Sequence, residues 1–225
     1  MRTTEGTTST GGGIPRPRHT VYDRGMIRAV VFDLGEVLSS PPSLLPTLAA
    51  RAGVGVDLLE RNYWAGRPAY DAGGSETDYW GRLLAAVGVE PDDALCADLA
   101  QLDSGVWADL RPTAWQLLRD CRDAGAVVAV LSNSPHAMQR AADAADWRVD
   151  VDHLFISATL GLMKPDPAIY RAVATRLGLE GPAIAFVDDK QANVDGALTV
   201  GWRAHLWTGD DDTRAWLTTI GVLDG

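Results

Sequence analysis

Residues 30–38 read VVFDLGEVL: three apolar side chains, Val30, Val31 and Phe32, run without a polar break into the carboxylate of Asp33. A strand with one wet face alternates apolar and polar residues, whereas a strand covered on both faces does not. The run therefore predicts a buried strand of a parallel sheet that delivers Asp33 at its carboxyl end. In open α/β sheets that end is where ligands bind.

Moving outward, further short apolar runs predict strands at Ala126–Leu131, His153–Ser157, Ala183–Val187 and Arg203–Trp207, beside the first at Ala29–Phe32. Between the later runs lie helical patterns at Thr113–Ala124, Pro135–Ala145, Pro167–Leu177 with Asp166 as N-cap, and Gln191–Val200. Strands separated by helices imply right-handed crossovers, so the expected fold is α/β, a Rossmann-like parallel sheet covered on both faces. The stretch from Leu38 to Arg111 is too long for one crossover and carries no strand signal. It predicts an inserted helical cap at 39–111, with helices near Leu44–Arg51, Leu58–Trp64, Thr77–Val87 and Asp92–Trp107. The core is then 26–38 with 112–225. Residues 1–25, rich in Thr, Gly, Pro and Arg without a period, read as a disordered tail.

The chain has 225 residues, enough for one core plus a modest insertion. It carries 30 acidic residues against 20 Lys and Arg, a net charge of -10, which leaves no basic footprint for nucleic acid or an anionic membrane. No apolar run is long enough to span a bilayer and no signal-peptide pattern opens the chain, so the expected location is cytoplasmic. Cys96 and Cys121 have no Cys or His at ligand spacing, so they read as buried free thiols.

Polar groups recur at the predicted strand ends. Asp33 ends the first strand, Ser132 and Asn133 follow the second in VLSNS (130–134), Lys164 follows the third in GLMKPDPAIY (161–170), and Asp188 and Asp189 end the fourth in FVDDKQANVDGA (186–197). Each alone has a plain reading as a turn residue, a helix cap, a solvated lysine or helix N-terminal acids. Brought together by the sheet, they offer a carboxylate nucleophile, small hydrogen-bond donors, one cation and an acidic pair able to hold a hard metal.

In this order, FDLGEVL, VLSN, GLMKPDPAIY and VDDKQANVDGA resemble the haloacid dehalogenase-like hydrolase superfamily from Ile27 to about Leu217. The insertion behind the first motif is similar to its type 1 cap. The DLG form and the MKPDPAIY segment look most like the branch with a bacterial glucose-1-phosphate phosphatase and the phosphatase domain of soluble epoxide hydrolase. The resemblance implies a Mg²⁺-dependent phosphatase of a small phosphorylated metabolite, such as a sugar phosphate or similar monoester.

Asp33 would attack phosphorus to give an aspartyl-phosphate, and Asp33 and Asp188 would supply carboxylates to Mg²⁺. The family pattern adds the Gly35 carbonyl as a metal ligand. Lys164 would neutralise the transferring group, with the Ser132 hydroxyl and backbone N–H groups near Asn133 on its oxygens. Asp189 is expected to orient Lys164 or a water on the metal, and Asn193 to tie the Asp188 loop to its helix.

The pattern departs from most phosphatases of the superfamily at one place. They carry a second Asp two residues after the nucleophile, as acid and then base; here that place is Gly35. Adjacent Glu36 would point elsewhere on an extended backbone. Two alternatives follow from the glycine: a metal-independent 2-haloacid dehalogenase, which the retained Asp188-Asp189 pair opposes, and a binding or regulatory protein with an impaired site. In the cap, Tyr63, Trp64, Tyr70, Tyr79, Trp80 and Trp107 read first as core, with an aromatic substrate floor as the functional reading. Arg51, Arg61, Arg67 and Arg82 are the cap cations able to meet an anion. His136 reads as a helix-surface histidine.

Overall fold

The computed structural model describes residues 25–224, so the tail expected over 1–25 lies outside the described residues except for Gly25. The strands are β1 (Ala29–Phe32), β2 (Val127–Ser132), β3 (His153–Ile156), β4 (Ile184–Asp188) and β5 (Arg203–Leu206). All neighbours are parallel, in the order β3-β2-β1-β4-β5, which puts β1 at the centre.

Five helices follow β1: α1 (Leu44–Ala52), α2 (Val56–Tyr63), α3 (Arg67–Asp71), α4 (Glu76–Ala86) and α5 (Asp93–Trp107). The later helices are α6 (Pro112–Asp123), α7 (His136–Asp143), α8 (Ser157–Leu160), α9 (Pro167–Leu177), α10 (Gln191–Thr199) and α11 (Asp210–Thr219).

The unbroken apolar run in β1 has a direct cause. Val30 and Phe32 point into a layer shared with Leu117 and Leu118 of α6, while Val31 points into a second layer with Ile169, Tyr170 and Val173 of α9. Both faces are dry, so no position of the strand is left for a polar side chain. A third apolar cluster lies within the insert, built on Leu48, Leu59, Tyr63, Trp80, Leu84 and Leu99. Ala137 of α7 joins that cluster while Met138 and Ala142 join the layer under the sheet, so one helix packs against both bodies.

Several boundaries differ from the sequence reading. β2 starts one residue later than expected and runs on through Ser132, which pairs in register with Ile156. Ser157 does not end β3 but opens α8. The short α3 and α8 gave too little periodicity to be recognised. α11 was missed despite its signal, three acids at 210–212 in the first turn, where the helix dipole favours them. Asp166 caps α9 as expected, accepting the Ala168 N–H at 2.8 Å.

Candidate active site

The register of the sheet decides which side chains meet. Phe32 lies opposite both Val130 of β2 and Val187 of β4, so Asp33 and Asp188 emerge at one level, with Ser132 at the end of β2 one residue beyond it. The Asp33 N–H still bonds the Val187 carbonyl at 2.9 Å, which carries the strand geometry one residue past its end. Asp33, Ser132, Asn133, Lys164, Asp189 and Asn193 line a single cavity of about 450 Å³ between the sheet and the insert.

At its floor, the Lys164 ammonium lies 2.8 Å from Asp33 Oδ1 and 2.6 Å from Asp188 Oδ2, all three side chains being nearly inaccessible. Asp33 Oδ1 also accepts the Leu34 N–H at 2.7 Å. Asp188 Oδ1 accepts the Asn193 side-chain amide at 2.8 Å and the Lys190 N–H at 2.9 Å. Asn193 therefore ties the end of β4 to α10, and the Tyr170 hydroxyl donates to its carbonyl at 2.8 Å.

Oxygen atoms of Asp33, Asp188 and Asp189 lie within 4.8 Å of one another. The two buried carboxylates, Asp33 and Asp188, thus share the Lys164 ammonium, while the half-buried Asp189 also lies near Lys190. Burial pushes the Asp33 carboxyl up to about 7, with Asp188 and Asp189 adding to it and Lys164 opposing. Burial works against the Lys164 ammonium, but Asp33 and Asp188 outweigh it and hold its pKa above the usual lysine value. An all-oxygen donor set with surplus negative charge fits a hard divalent cation.

The loop bearing Lys164 is held from two sides. The Asn133 side chain receives the Lys164 N–H at 2.9 Å and donates to its carbonyl at 2.8 Å, so the amide is a strut for the lysine. Neither Ser132 nor Asn133 caps α7, whose N-cap is Pro135 without a side-chain bond. From the other side, Gly196 of α10 abuts the loop: a Cβ there would meet the Pro165 carbonyl at 2.5 Å and the Tyr170 ring at 2.9 Å. Lys164 has its partners in Asp33 and Asp188 and makes no bond to Asp189, so of the two roles expected for Asp189, orienting Lys164 or a water on the metal, the contacts give no support to the first.

The glycine corner also differs from expectation. The chain after β1 is not extended at Glu36, which sits at φ 61° in the left-handed region, in a tight loop closed by Glu36 N–H to Ser39 O at 2.8 Å and Ser39 N–H to Leu34 O at 2.9 Å. That twist turns Glu36 toward the cavity, where it is exposed and accepts the Ser40 hydroxyl at 2.6 Å. The Gly35 carbonyl accepts the Val37 N–H at 2.7 Å and keeps its other lone pair. A Cβ on Gly35 would lie 3.7 Å from the Trp107 ring, an ordinary contact.

The insert supplies the facing wall with Trp64, Arg67, Pro68, Asp71 and Trp107. Of the six aromatic residues, Tyr63, Tyr70, Tyr79 and Trp80 are core, while Trp64, 52 % exposed, and Trp107 face the cavity. Of the four cap arginines only Arg67 reaches it; Arg51 pairs with Asp98 at the surface and Arg82 bonds the Asp78 carbonyl. Arg67 Nε donates to Asp71 Oδ1 at 2.9 Å and Nη1 to Asp103 Oδ2 at 3.0 Å, and Nη1 also donates to the Tyr63 hydroxyl.

Tyr63 in turn donates to Asp103 Oδ1 at 2.5 Å and accepts the Trp107 indole N–H at 3.2 Å, so this buried network sets the indole over Gly35. Asp71 and Asp103 escaped the sequence reading. The Arg67–Asp71 pair at i,i+4 spacing was the available signal for the first; nothing local marked the second. His136 is exposed at the start of α7 and is not among the cavity residues.

Comparison with known proteins places the site in a family. The model of the haloacid dehalogenase-like hydrolases matches residues 27–201. Phosphatase MT3486 of Mycobacterium tuberculosis is 31% identical over 215 residues, covering 88% of this chain and 98% of that protein. A sesquiterpene phosphatase of Aspergillus oryzae is 27% identical over 176 residues, covering 77% and 86%. The fold is shared with a HAD family enzyme of Bacteroides thetaiotaomicron solved as a magnesium complex, at TM-score 0.67 and 19% identity over 84% of this chain and 98% of that one. The matched span runs from the strand that delivers Asp33 through the helix that anchors Asp188, and the chain belongs to the haloacid dehalogenase-like hydrolases.

Proposed function

We propose that this protein is a Mg²⁺-dependent phosphatase that hydrolyses a small phosphorylated metabolite through an aspartyl-phosphate on Asp33. The observation that carries the reading is the convergence of Asp33, Asp188 and Asp189 oxygens within 4.8 Å beside Lys164. Phosphoryl transfer asks a protein mainly for positioning and charge neutralisation, and these groups supply both.

Asp33 has one oxygen engaged by Lys164 and the Leu34 N–H, which fixes the carboxylate for attack by the other. Lys164 and the Ser132 hydroxyl receive the charge that develops on the phosphoryl oxygens. Asp33 and Asp188 would hold the metal, with Asp189 and the Gly35 carbonyl as further donors; bound there, Mg²⁺ would offset the repulsion between a dianionic ester and the carboxylates. The retained acidic trio is what favours this reading over dehalogenation without metal.

The cavity, about 450 Å³, confines the organic group to a small metabolite, a sugar or a short apolar chain. Its wall of Leu34, Trp64, Trp107, Met138 and Met163 suits the face of a ring or an apolar chain. Relatives named as phosphatases support the reaction, and the inserted helices, read as a cap over 39–111, would choose the ester. The test is phosphate release from a panel of esters with and without Mg²⁺, beside Asp33→Asn and a 2-haloacid control. Expected is metal-dependent release that vanishes in Asp33→Asn. Release that persists in that variant, or halide release without metal, contradicts the proposal.

A further inference from the structure

Gly35 leaves the ester oxygen without a side-chain proton donor at that position, and an alcohol leaves phosphorus poorly as its anion. Four carboxyl groups line the cavity: Asp33, Glu36, Asp71 and Asp189. Asp33 and Asp189 belong to the acidic trio at the floor. Glu36 is exposed, with Oε2 taken up by Ser40.

Asp71 differs in place and in burial. It sits on the insert side of the cavity, 8% exposed, at the end of α3. Its backbone is pinned to the sheet: the Ser157 hydroxyl donates to the Asp71 carbonyl at 2.6 Å and accepts the Ser134 N–H at 2.8 Å, just past Ser132 and Asn133. One oxygen, Oδ1, accepts Arg67 Nε, and Oδ2 has no hydrogen-bond partner among the described residues.

In-line displacement puts the departing oxygen on the side of phosphorus away from Asp33, toward the insert. We propose that Asp71 is the acid–base residue of this enzyme, supplied by the insert in place of the side chain missing at Gly35. The inference rests on the phosphatase reading above. As Asp33 forms its bond to phosphorus, the P–O bond to the organic group breaks, its electron pair stays on the ester oxygen, and the Asp71 carboxyl gives that oxygen its proton. The Asp71 carboxylate then takes a proton from the water whose oxygen bonds to phosphorus as the bond from phosphorus to Asp33 breaks, which releases phosphate and restores Asp33 as the carboxylate and Asp71 as the protonated acid.

The charged groups facing Asp71 are Arg67 on its own helix, Asp103 from α5 and Lys190 from the β4–α10 loop. Burial raises the carboxyl to about 6 against the pull of Arg67 and Lys190, a range in which it can both give and recover a proton near neutrality.

The experiment reads the first turnover of an alkyl phosphate and of para-nitrophenyl phosphate, whose leaving group needs no proton, with Mg²⁺ in wild type, Asp71→Asn and Glu36→Gln. Asp71→Asn is expected to slow the alkyl ester about 10²–10⁴-fold and to slow release of nitrophenol less than about 10-fold. Nitrophenol then appears as a burst, because the water step is slowed. Equal loss on both esters, no loss, or a selective loss that moves to Glu36→Gln overturns the proposal.

If Asp71→Asn does not fold by circular dichroism, a series of esters of rising leaving-group basicity in wild type decides. Rates nearly independent of basicity support a proton donor, and a steep fall overturns it. Absence of Mg²⁺-dependent release from para-nitrophenyl phosphate, or its survival in Asp33→Asn, would instead defeat the phosphatase reading itself.

Discussion

Two buried cations face each other across the cavity, each between two aspartates, and they are built differently. On the sheet side, Lys164 bridges Asp33 and Asp188 with a third carboxylate, Asp189, beside them. On the insert side, Arg67 bridges Asp71 and Asp103 and also meets the Tyr63 hydroxyl. Lysine is a point charge on a flexible stem, whereas the guanidinium is a planar fork that locks its acceptors. The sheet cluster keeps negative charge in surplus and free oxygens toward the cavity, the condition for binding metal and attacking phosphorus. The insert cluster spends its donors on geometry, orienting Asp71 and, through Tyr63, the Trp107 indole. The same pairing of residue types therefore leaves Lys164 among surplus carboxylates on one side and makes Arg67 the brace that orients Asp71 and the cavity wall on the other.

That contrast breaks first at the two cations. Lys164→Met should lower kcat/KM at least about 10³-fold, because it removes the charge aimed at the transferring group. Arg67→Met should instead destabilise the fold by about 3–5 kcal/mol, since it strands the fully buried Asp103 without its partner. Parallel kinetics and thermal melts of the two variants check the assignment; a Lys164 variant that loses only stability would erase the distinction.

A sharper form of the comparison exchanges the acid between the two sides. Asp33 and Gly35 lie on the sheet side, and a Cβ at Gly35 makes only an ordinary contact with Trp107. Gly35→Asp placed in the Asp71→Asn background should recover about 10²-fold of the lost alkyl-ester turnover. In the wild-type background it should raise turnover less, and turnover unchanged in both backgrounds would show that this corner no longer accommodates a proton donor.

A smaller effect is expected where the sheet cluster is braced. Gly196→Ala drives a methyl into the Pro165 carbonyl, so the loop holding Lys164 must shift, at a cost of about 1–3 kcal/mol with a fall in kcat. The smallest lies away from both clusters, where Arg111 holds Asp210 at 2.5 Å and 2.8 Å and Thr113 donates at 2.6 Å. Burial opposes the Asp210 carboxylate, but these hydrogen bonds outweigh it and hold its pKa below the usual carboxylate value. A depressed folded pKa contributes stability above the unfolded value of about 4 that is lost as pH falls through the folded one. Asp210→Asn should then cost about 0.5–1 kcal/mol at pH 7, discounted for partial exposure, and match wild type at the acid end of a denaturant series.

How much of this was legible follows from which interactions are local. The strand ends at Asp33 and Asp188 and the cap at Asp166 were read directly, because periodicity and capping are written within one element. The bracing of Lys164 by Asn133 was not, since both residues had been read by type, as a donor and a cation, without a register between their loops. Glu36 was misjudged because its positive φ is held by the bonds from Glu36 N–H to the Ser39 carbonyl and from Ser39 N–H to the Leu34 carbonyl, which only the closed loop reveals.

By itself, then, the sequence determined the parallel sheet and the order of its polar strand ends, since both rest on patterns along the chain, and the family through the resemblance of its four motifs. The tertiary structure alone decided which insert residues reach the cavity. Arg67 meets Asp103 and Asp71 meets Ser157 across 36 and 86 positions. The first meeting depends on how the insert's helices pack on one another and the second on how the insert packs on the sheet, and packing between elements leaves no period in either.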